Sequence, residues 1–218
     1  EVIMPTFTII SCINQIFRSG ATPVFVDSDA DTWNMDVNQI ESKITSKTKA
    51  IMAVHIYGLP VDMSPVLALA KKYNLKIIED AAEMHGQLYF DKPCGSFGDV
   101  STLSFYPNKH ITTGEGGMIL TNSQEIASFS TSLRNLCMQE NNRFVHERLG
   151  WNLRMTNLQA AIGLAQSEKI TEFVVRKRQI GALYMDGLKD VSEFFQLPME
   201  ATKYAKNIYW VFGLVCSI

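Results

Sequence analysis

The chain has 218 residues, 46% hydrophobic and 19% charged, enough for a globular protein with a substantial core, of one domain or one plus part of another. A net charge of −2 without a run of Lys and Arg leaves no electrostatic footprint for nucleic acid. No apolar run is long enough to span a bilayer and no stretch reads as a secretory leader, so a cytoplasmic protein is expected, with neither membrane nor nucleic acid as partner.

Taken in order, Glu1 to Pro5 reads as an apolar strand already under way. Ile9, Cys12, Ile13, Ile16 and Phe17 then share one helical face, with Thr8 as expected N-cap and Gly20 as stop. Pro23 to Asp27 is a short strand, and Asp36 caps a short helix turning Val37, Ile40 and Ile44 inward. Ala50 to Val54 is a buried-type strand followed by a turn at Gly58 to Pro60. Ser64-Pro65 opens the clearest helix, which buries Val66, Leu69, Ala70 and Tyr73 and ends at Asn74. Lys76 to Asp80 makes a strand ending in an acidic pair, and Val100 to Phe105 and Gly117 to Thr121 are two more.

Ser123 caps a helix through Leu133, and the polar segment Asn141 to Arg154 reads as an extended loop. Thr156 caps a helix carrying Leu158, Ala161, Ile162 and Ala165 on its apolar face, and a further helix covers Thr171 to Leu188. The best domain boundary is Gly187 to Asp190, giving a large unit over 1–188 and the start of a smaller one over 189–218. Tyr209 to Ile218 reads as a strand that stops abruptly, so both ends suggest a piece of a longer protein. Strand and helix alternate, and the strands are nearly continuously apolar. That pattern predicts an α/β fold with a mostly parallel sheet covered on both faces.

In such sheets ligands sit at the carboxyl ends of the strands. Asp80 falls at one such end, and Lys109 lies in the loop after another, between Ser104-Phe-Tyr-Pro and a glycine-rich turn. A lysine beside backbone that approaches a ligand closely suits covalent amine chemistry with a carbonyl compound; a solvated surface loop is the plain alternative. A carboxylate at a strand end can fix a cationic ring nitrogen, and Ser104 could offer its hydroxyl to a phosphate. Asp80 and Glu83 could equally be helix N-terminal residues without chemistry. His85 and His110 are assigned structural or minor pocket roles. Cys12, Cys94, Cys137 and Cys216 are scattered and form no metal-binding spacing with the four histidines, so no metal is expected.

Four motifs occur in order: Glu79-Asp-Ala-Ala-Glu-Met-His-Gly86, Gly95-Ser-Phe-Gly-Asp99, Ser104-Phe-Tyr-Pro-Asn-Lys109 with Thr113-Gly-Glu-Gly-Gly117, and Gly150-Trp-Asn-Leu-Arg-Met-Thr-Asn-Leu-Gln-Ala-Ala-Ile-Gly163. Together they resemble the DegT/DnrJ/EryC1/StrS sugar aminotransferases, enzymes of fold type I that use pyridoxal 5'-phosphate. The resemblance covers nearly the whole chain. It implies that Lys109 is the lysine that binds the cofactor covalently and later shuttles the proton. Asp80 would pair with the ring nitrogen, Ala82 lie against the ring and Ser104 bind the phosphate. Glu83 stands where the family often has glutamine, near the ring hydroxyl. Asn152 would reach the cofactor phosphate of a neighbouring subunit, which implies a homodimer with a shared active site.

Lysine at 109, where a related branch of 3-dehydratases has histidine, implies amino transfer. Glu83, Met155 to Asn157 and Asn207 to Gly213 are most similar to the perosamine synthases within the family. That implies GDP-4-keto-6-deoxymannose as acceptor, aminated at C4, and glutamate as donor. A UDP-linked 4-keto sugar, or a non-catalytic truncated relative, are the alternatives. The family's N-terminal Gly-Thr phosphate cup and most of its small domain have no counterpart in these 218 residues.

Overall fold

Short apolar runs, each four or five residues long, supply the central sheet. The computed structural model describes residues 1–139, 141–191 and 193–216. The strands in chain order are β1 (Val2–Pro5), β2 (Pro23–Val26), β3 (Ala50–Val54), β4 (Lys76–Asp80), the small hairpin β5 (Leu88–Tyr89) and β6 (Lys92–Pro93), β7 (Val100–Ser104) and β8 (Gly117–Leu120). Six of them form one sheet in the order β2-β1-β3-β4-β7-β8. All pairings are parallel except the last, where β8 runs antiparallel with Gly117 opposite Ser104. Helices α1 (Ile10–Arg18), α2 (Met63–Tyr73), α3 (Gln124–Arg134), α4 (Asn157–Ser167) and α5 (Ile170–Gly187) complete the α/β architecture, and β9 (Phe195–Gln196) pairs antiparallel with β10 (Val215–Cys216). The expected class is what forms.

The pleat sorts the core into two layers. Ile3 and Ile51 pack on one face with Val26, Ile40, Val61, Met63 and Val66. Their neighbours Val2, Met4 and Met52 point the other way, onto Cys12 and Ile16 of α1. Burying each large aliphatic side chain contributes about 1.5–3 kcal/mol, which explains why such short strands hold.

Two residues of β4 divide the same way, and this sets up everything above them. Glu79 faces inward with no solvent exposure. Its Oε1 accepts from Gly95 N at 2.5 Å and lies 3.1 Å from His55 Nε2. Its Oε2 accepts from Phe97 N (2.8 Å), Gly98 N (2.9 Å) and Ser101 Oγ (2.9 Å). Val61 N donates to His55 Nδ1 at 3.1 Å, so that nitrogen is unprotonated and the Nε2 hydrogen points at Glu79. Burial alone would push the Glu79 carboxyl up, but His55 and the Gly95 and Phe97 amides hold it down at about 2.

Several local signals act as read. Asp36 caps the turn Val37–Gln39 by accepting from Asn38 N, and Ile40 beyond it is fully buried. Asn74 ends α2 in the left-handed region, Ser123 caps α3, and Thr156 with Gln159 forms a capping box on α4. Other readings are corrected. The N-cap of α1 is Ile9, not Thr8, whose hydroxyl donates to Cys12 Sγ at 3.4 Å instead. Ile9 and Phe17 of the expected inner face are 65% and 60% exposed. The N-cap of α2 is Asp62; Ser64 is the second residue of its first turn, where its amide and hydroxyl meet Tyr89 Oη.

The apolar face of α4, with Leu158 and Ile162, is exposed in this chain. Gln159, Gly163 and Gln166 face the protein instead: Gln159 Nε2 donates to Glu115 O (3.1 Å), and Gln166 exchanges two 3.0 Å bonds with the Thr112 backbone. The amides satisfy loop groups that no apolar side chain could, and Gly163 lets Thr113 approach. Tyr209 to Leu214 is not strand; only Val215–Cys216 is, and residues 217 and 218 lie outside the described residues. After α5 the chain turns back onto the sheet, burying Tyr204 beside Tyr89 and Ile208 completely.

Replacing Glu79 with Gln would put a donor among amide donors in a dry site. We expect a loss of about 3–5 kcal/mol, read as a lower denaturation midpoint without a change of slope. In the wild type the Glu79 contribution is full above the ordinary carboxyl value of 4.5 and fades as pH falls toward about 2. Acid titration of the Glu79→Gln protein should lack that part of the stability loss.

Candidate active site

Loops leaving the carboxyl ends of β1, β3, β4 and β7 surround a cavity of about 380 Å³. Asp80, Ala82, Glu83, Ser104 and Lys109, five of the six residues singled out from sequence, line it. Asn152 does not: it is exposed, bridged to Asn135, and its Oδ1 accepts from Arg154 Nε at 3.1 Å.

Asp80 follows Glu79 and so emerges on the opposite side of the strand. Its Oδ1 is held by Ala82 N (3.0 Å) and Thr102 Oγ1 (3.3 Å). Among the described residues its Oδ2 receives only the Cys12 thiol, at 3.2 Å. Burial and then the Asp80 charge push that thiol up to about 12, so it stays protonated and is a weak donor. One carboxylate oxygen is thus fixed and the other retains acceptor capacity.

Lys109 sits on a turn in which its own amide donates to Tyr106 O and Thr113 N donates to Phe105 O, both at 3.0 Å. α4 braces the far side of this loop through Gln159 and Gln166. Lys109 Nζ is 4.0 Å from Glu83 Oε1 and 3.6 Å from the centroid of the Trp210 ring. Burial lowers the pKa of this amine, while the Glu83 and Asp80 charges oppose the shift. Glu83 is raised to about 7 by burial, against the pull of the Tyr57 amide (2.6 Å to Oε2) and Lys109. His85 is bonded to Ser104 O at 2.6 Å and stacked on Phe105; burial pushes its pKa down. His110 is buried with neither ring nitrogen hydrogen-bonded, and burial followed by the charge on Lys177 pushes it down to about 4.

Trp210 was not singled out from sequence, nor were Cys12 and Tyr57. Trp210 Nε1 donates to Asn108 O at 2.9 Å, clamping the lysine loop from above. It is carried by the returning segment, which α5 pins: Lys177 Nζ donates to Trp210 O, and Arg178 donates to the carbonyls of Asn207 and Lys206. Two glycines admit this segment. A Cβ on Gly58, at φ +106°, would lie 2.7 Å from Tyr209 N; one on Gly181 would meet the Tyr209 ring at 2.3–2.6 Å. Those glycines, spaced ahead of an aromatic-rich tail, were the available signal.

The profile of the DegT/DnrJ/EryC1/StrS aminotransferase family matches residues 1–217. The chain belongs to this family. The chain is 46% identical over 215 residues to the GDP-perosamine synthase of Escherichia coli O157:H7, covering 99% of this chain and 58% of that protein. It is 44% identical over 212 residues to the GDP-perosamine synthase of Caulobacter vibrioides, covering 97% and 57%. Among solved structures it superposes on S. venezuelae DesV with a TM-score of 0.89 at 32% identity, covering 99% of this chain and 57% of the other. The family match and this superposition identify the sheet and its helices as fold type I. The chain therefore spans somewhat more than half the length of the relatives it matches.

Gly58→Ala should displace the Tyr209–Trp210 backbone, because the clash is with main-chain nitrogen and the φ is unfavourable for alanine. We expect a loss of about 2–3 kcal/mol and a Tm lower by roughly 5–10 °C. Calorimetry of the variant checks this.

Proposed function

We propose that this chain forms the cofactor-bearing part of a pyridoxal 5'-phosphate-dependent aminotransferase. The proposed reaction passes an amino group, from glutamate, to the C4 ketone of GDP-4-keto-6-deoxymannose. The observation that carries the reading is the meeting of Lys109, Asp80, Glu83, Ala82 and Ser104 in one cavity at the carboxyl edge of the sheet. The similarity to GDP-perosamine synthases favours this sugar over a UDP-linked one.

The residues fit the cofactor. Asp80 Oδ2, with only a thiol donor, is available for a protonated ring nitrogen, and Oδ1 is already tied so that the carboxylate cannot swing away. Ala82 leaves room beside a flat ring, and the Ser104 hydroxyl lines the same cavity for a phosphate. When bound, pyridoxal 5'-phosphate supplies a carbonyl for an amine and a ring that withdraws electrons from the reacting carbon. Lys109 would attach through Nζ, be released by the amino donor, and then move the proton between reacting carbons as general base and acid. Asp80 would keep the ring nitrogen protonated by charge pairing. Trp210 and the bracing of α4 keep water from one side of Nζ and hold its loop in place.

Asn152 lies away from the cavity of its own chain, and this supports its proposed service to the phosphate site of a second copy in a cytoplasmic homodimer. Residues 189–218 are proposed to begin the smaller domain of the whole protein. An aromatic run of Trp33, Tyr57 and Trp210, with neighbouring centroids 6.2 Å apart, leads from Lys109 to a second cavity of about 880 Å³, room for the nucleotide end of the acceptor.

Protein treated with pyridoxal 5'-phosphate, reduced with borohydride and peptide-mapped should carry the adduct on Lys109, and Lys109→Ala should carry none. Adduct on another lysine overturns the assignment. With glutamate as donor, the whole protein should turn over the GDP-linked 4-keto sugar; turnover of a UDP-linked sugar alone rejects the preferred acceptor.

A further inference from the structure

Glu83 is held by one oxygen and leaves the other facing the lysine. Its Oε2 accepts from the Tyr57 amide at 2.6 Å, which fixes the carboxylate plane. Its Oε1 lies 4.0 Å from Lys109 Nζ, and the two side chains are only 17% and 10% exposed. The other side of Nζ is covered by the Trp210 ring at 3.6 Å. Lys109 and the free oxygen of Glu83 therefore face each other across a gap that a small side-chain rotation or a single bridging water would close.

We propose that Glu83 is the acid–base partner of Lys109: the two side chains share one mobile proton, and its passage from Nζ to Oε1 frees the amine for attack on a carbonyl. In that step an N–H bond breaks and an O–H bond forms. The ammonium becomes a neutral amine, the carboxylate becomes a carboxylic acid, and nothing is oxidised or reduced. The inference rests on reading Lys109 as the nucleophile and adds how it is made neutral without exporting a proton to bulk water.

The surroundings favour exchange over a locked ion pair. Burial lowers Lys109 and raises Glu83 to about 7, so the two affinities for a proton converge. The other charged or titratable groups facing the pair are Asp80 at the end of β4, Glu115 in the lysine loop, and the rings of His55, His85 and His110. Asp80 raises both members, while burial makes His85 and His110 weaker bases than a free imidazole, so they compete poorly with Glu83 for the proton of the amine. Glutamine at 83 could accept the Tyr57 amide but could not take up the proton.

The test uses cofactor-free protein, trace-labelled with acetic anhydride from pH 5 to pH 10, with Lys109 acylation quantified by mass spectrometry against surface Lys72. Shared-proton coupling predicts two steps in wild-type Lys109 reactivity, the first a roughly tenfold rise between about pH 6 and pH 8. Glu83→Gln, checked by thermal melt for folding, should show one step only. A single step in the wild type, or an unchanged two-step profile in Glu83→Gln, overturns the proposal. Because no cofactor is present, this result is independent of the borohydride mapping. Mapping to Lys109 with a single-step profile would reject the proton pair and leave the aminotransferase reading standing.

Discussion

A carboxylate in a dry interior has to be surrounded by donors, and the Glu79 site meets that demand by gathering five donors from three stretches of chain. His55 comes from the end of β3, Gly95, Phe97 and Gly98 from the loop before β7, and Ser101 from β7 itself. None of these partners is free to drift without leaving the charge unpaired, which costs far more than a lost surface contact. The loop 95–98 and the start of β7 are thereby set against β4, and Ser104 at the end of β7 comes to rest beside Asp80. Because successive side chains alternate across a strand, fixing Glu79 inward also fixes Asp80 outward. Structural charge and candidate chemistry are consecutive residues with opposite duties.

Above that anchor, the electrostatics depend on graded donors. Glu79 has strong ones and is held deeply ionised, whereas Glu83, with one amide and a distant lysine, loses to burial. Asp80 is tied at one oxygen and weakly served by a thiol at the other. Three carboxyl groups within five residues of sequence are thus given different tasks by what surrounds them. Lys109, which Asp80 and Glu83 share a cavity with, is positioned mainly by its neighbours: α4 holds its loop from one side, and Trp210, pinned by α5, covers it from the other.

Much of this was legible in the chain itself. Ala50–Val54 is a short, wholly apolar run, and Lys76–Asp80 sets two isoleucines ahead of its acids; reading both as strands put Asp80 at a carboxyl end. Local caps at Asp36, Ser123 and Thr156 were readable because a side chain and an amide two or three residues away settle them. Which face of α4 packs on the chain was not legible, because hydrophobic periodicity groups apolar residues, whereas the loop beneath the helix offers backbone groups that Gln159 and Gln166 satisfy. Thr8 was misassigned for a similar reason: its hydroxyl had a better use on Cys12.

By itself, then, the sequence determined the order of the main sheet strands and helices and the strand-end place of Asp80, since each depends on composition and spacing within a few residues, while Ala82 was singled out through the family resemblance that the four motifs carry. Only the tertiary structure decided what depends on distant partners. It made Glu79 the anchor, set a thiol on Asp80, and brought Trp210 back 101 positions along the chain to cover Lys109. It also raised Glu83 to about 7, because a carboxyl group's proton affinity is set by the groups that surround it in space, and no reading of its sequence neighbours supplies them.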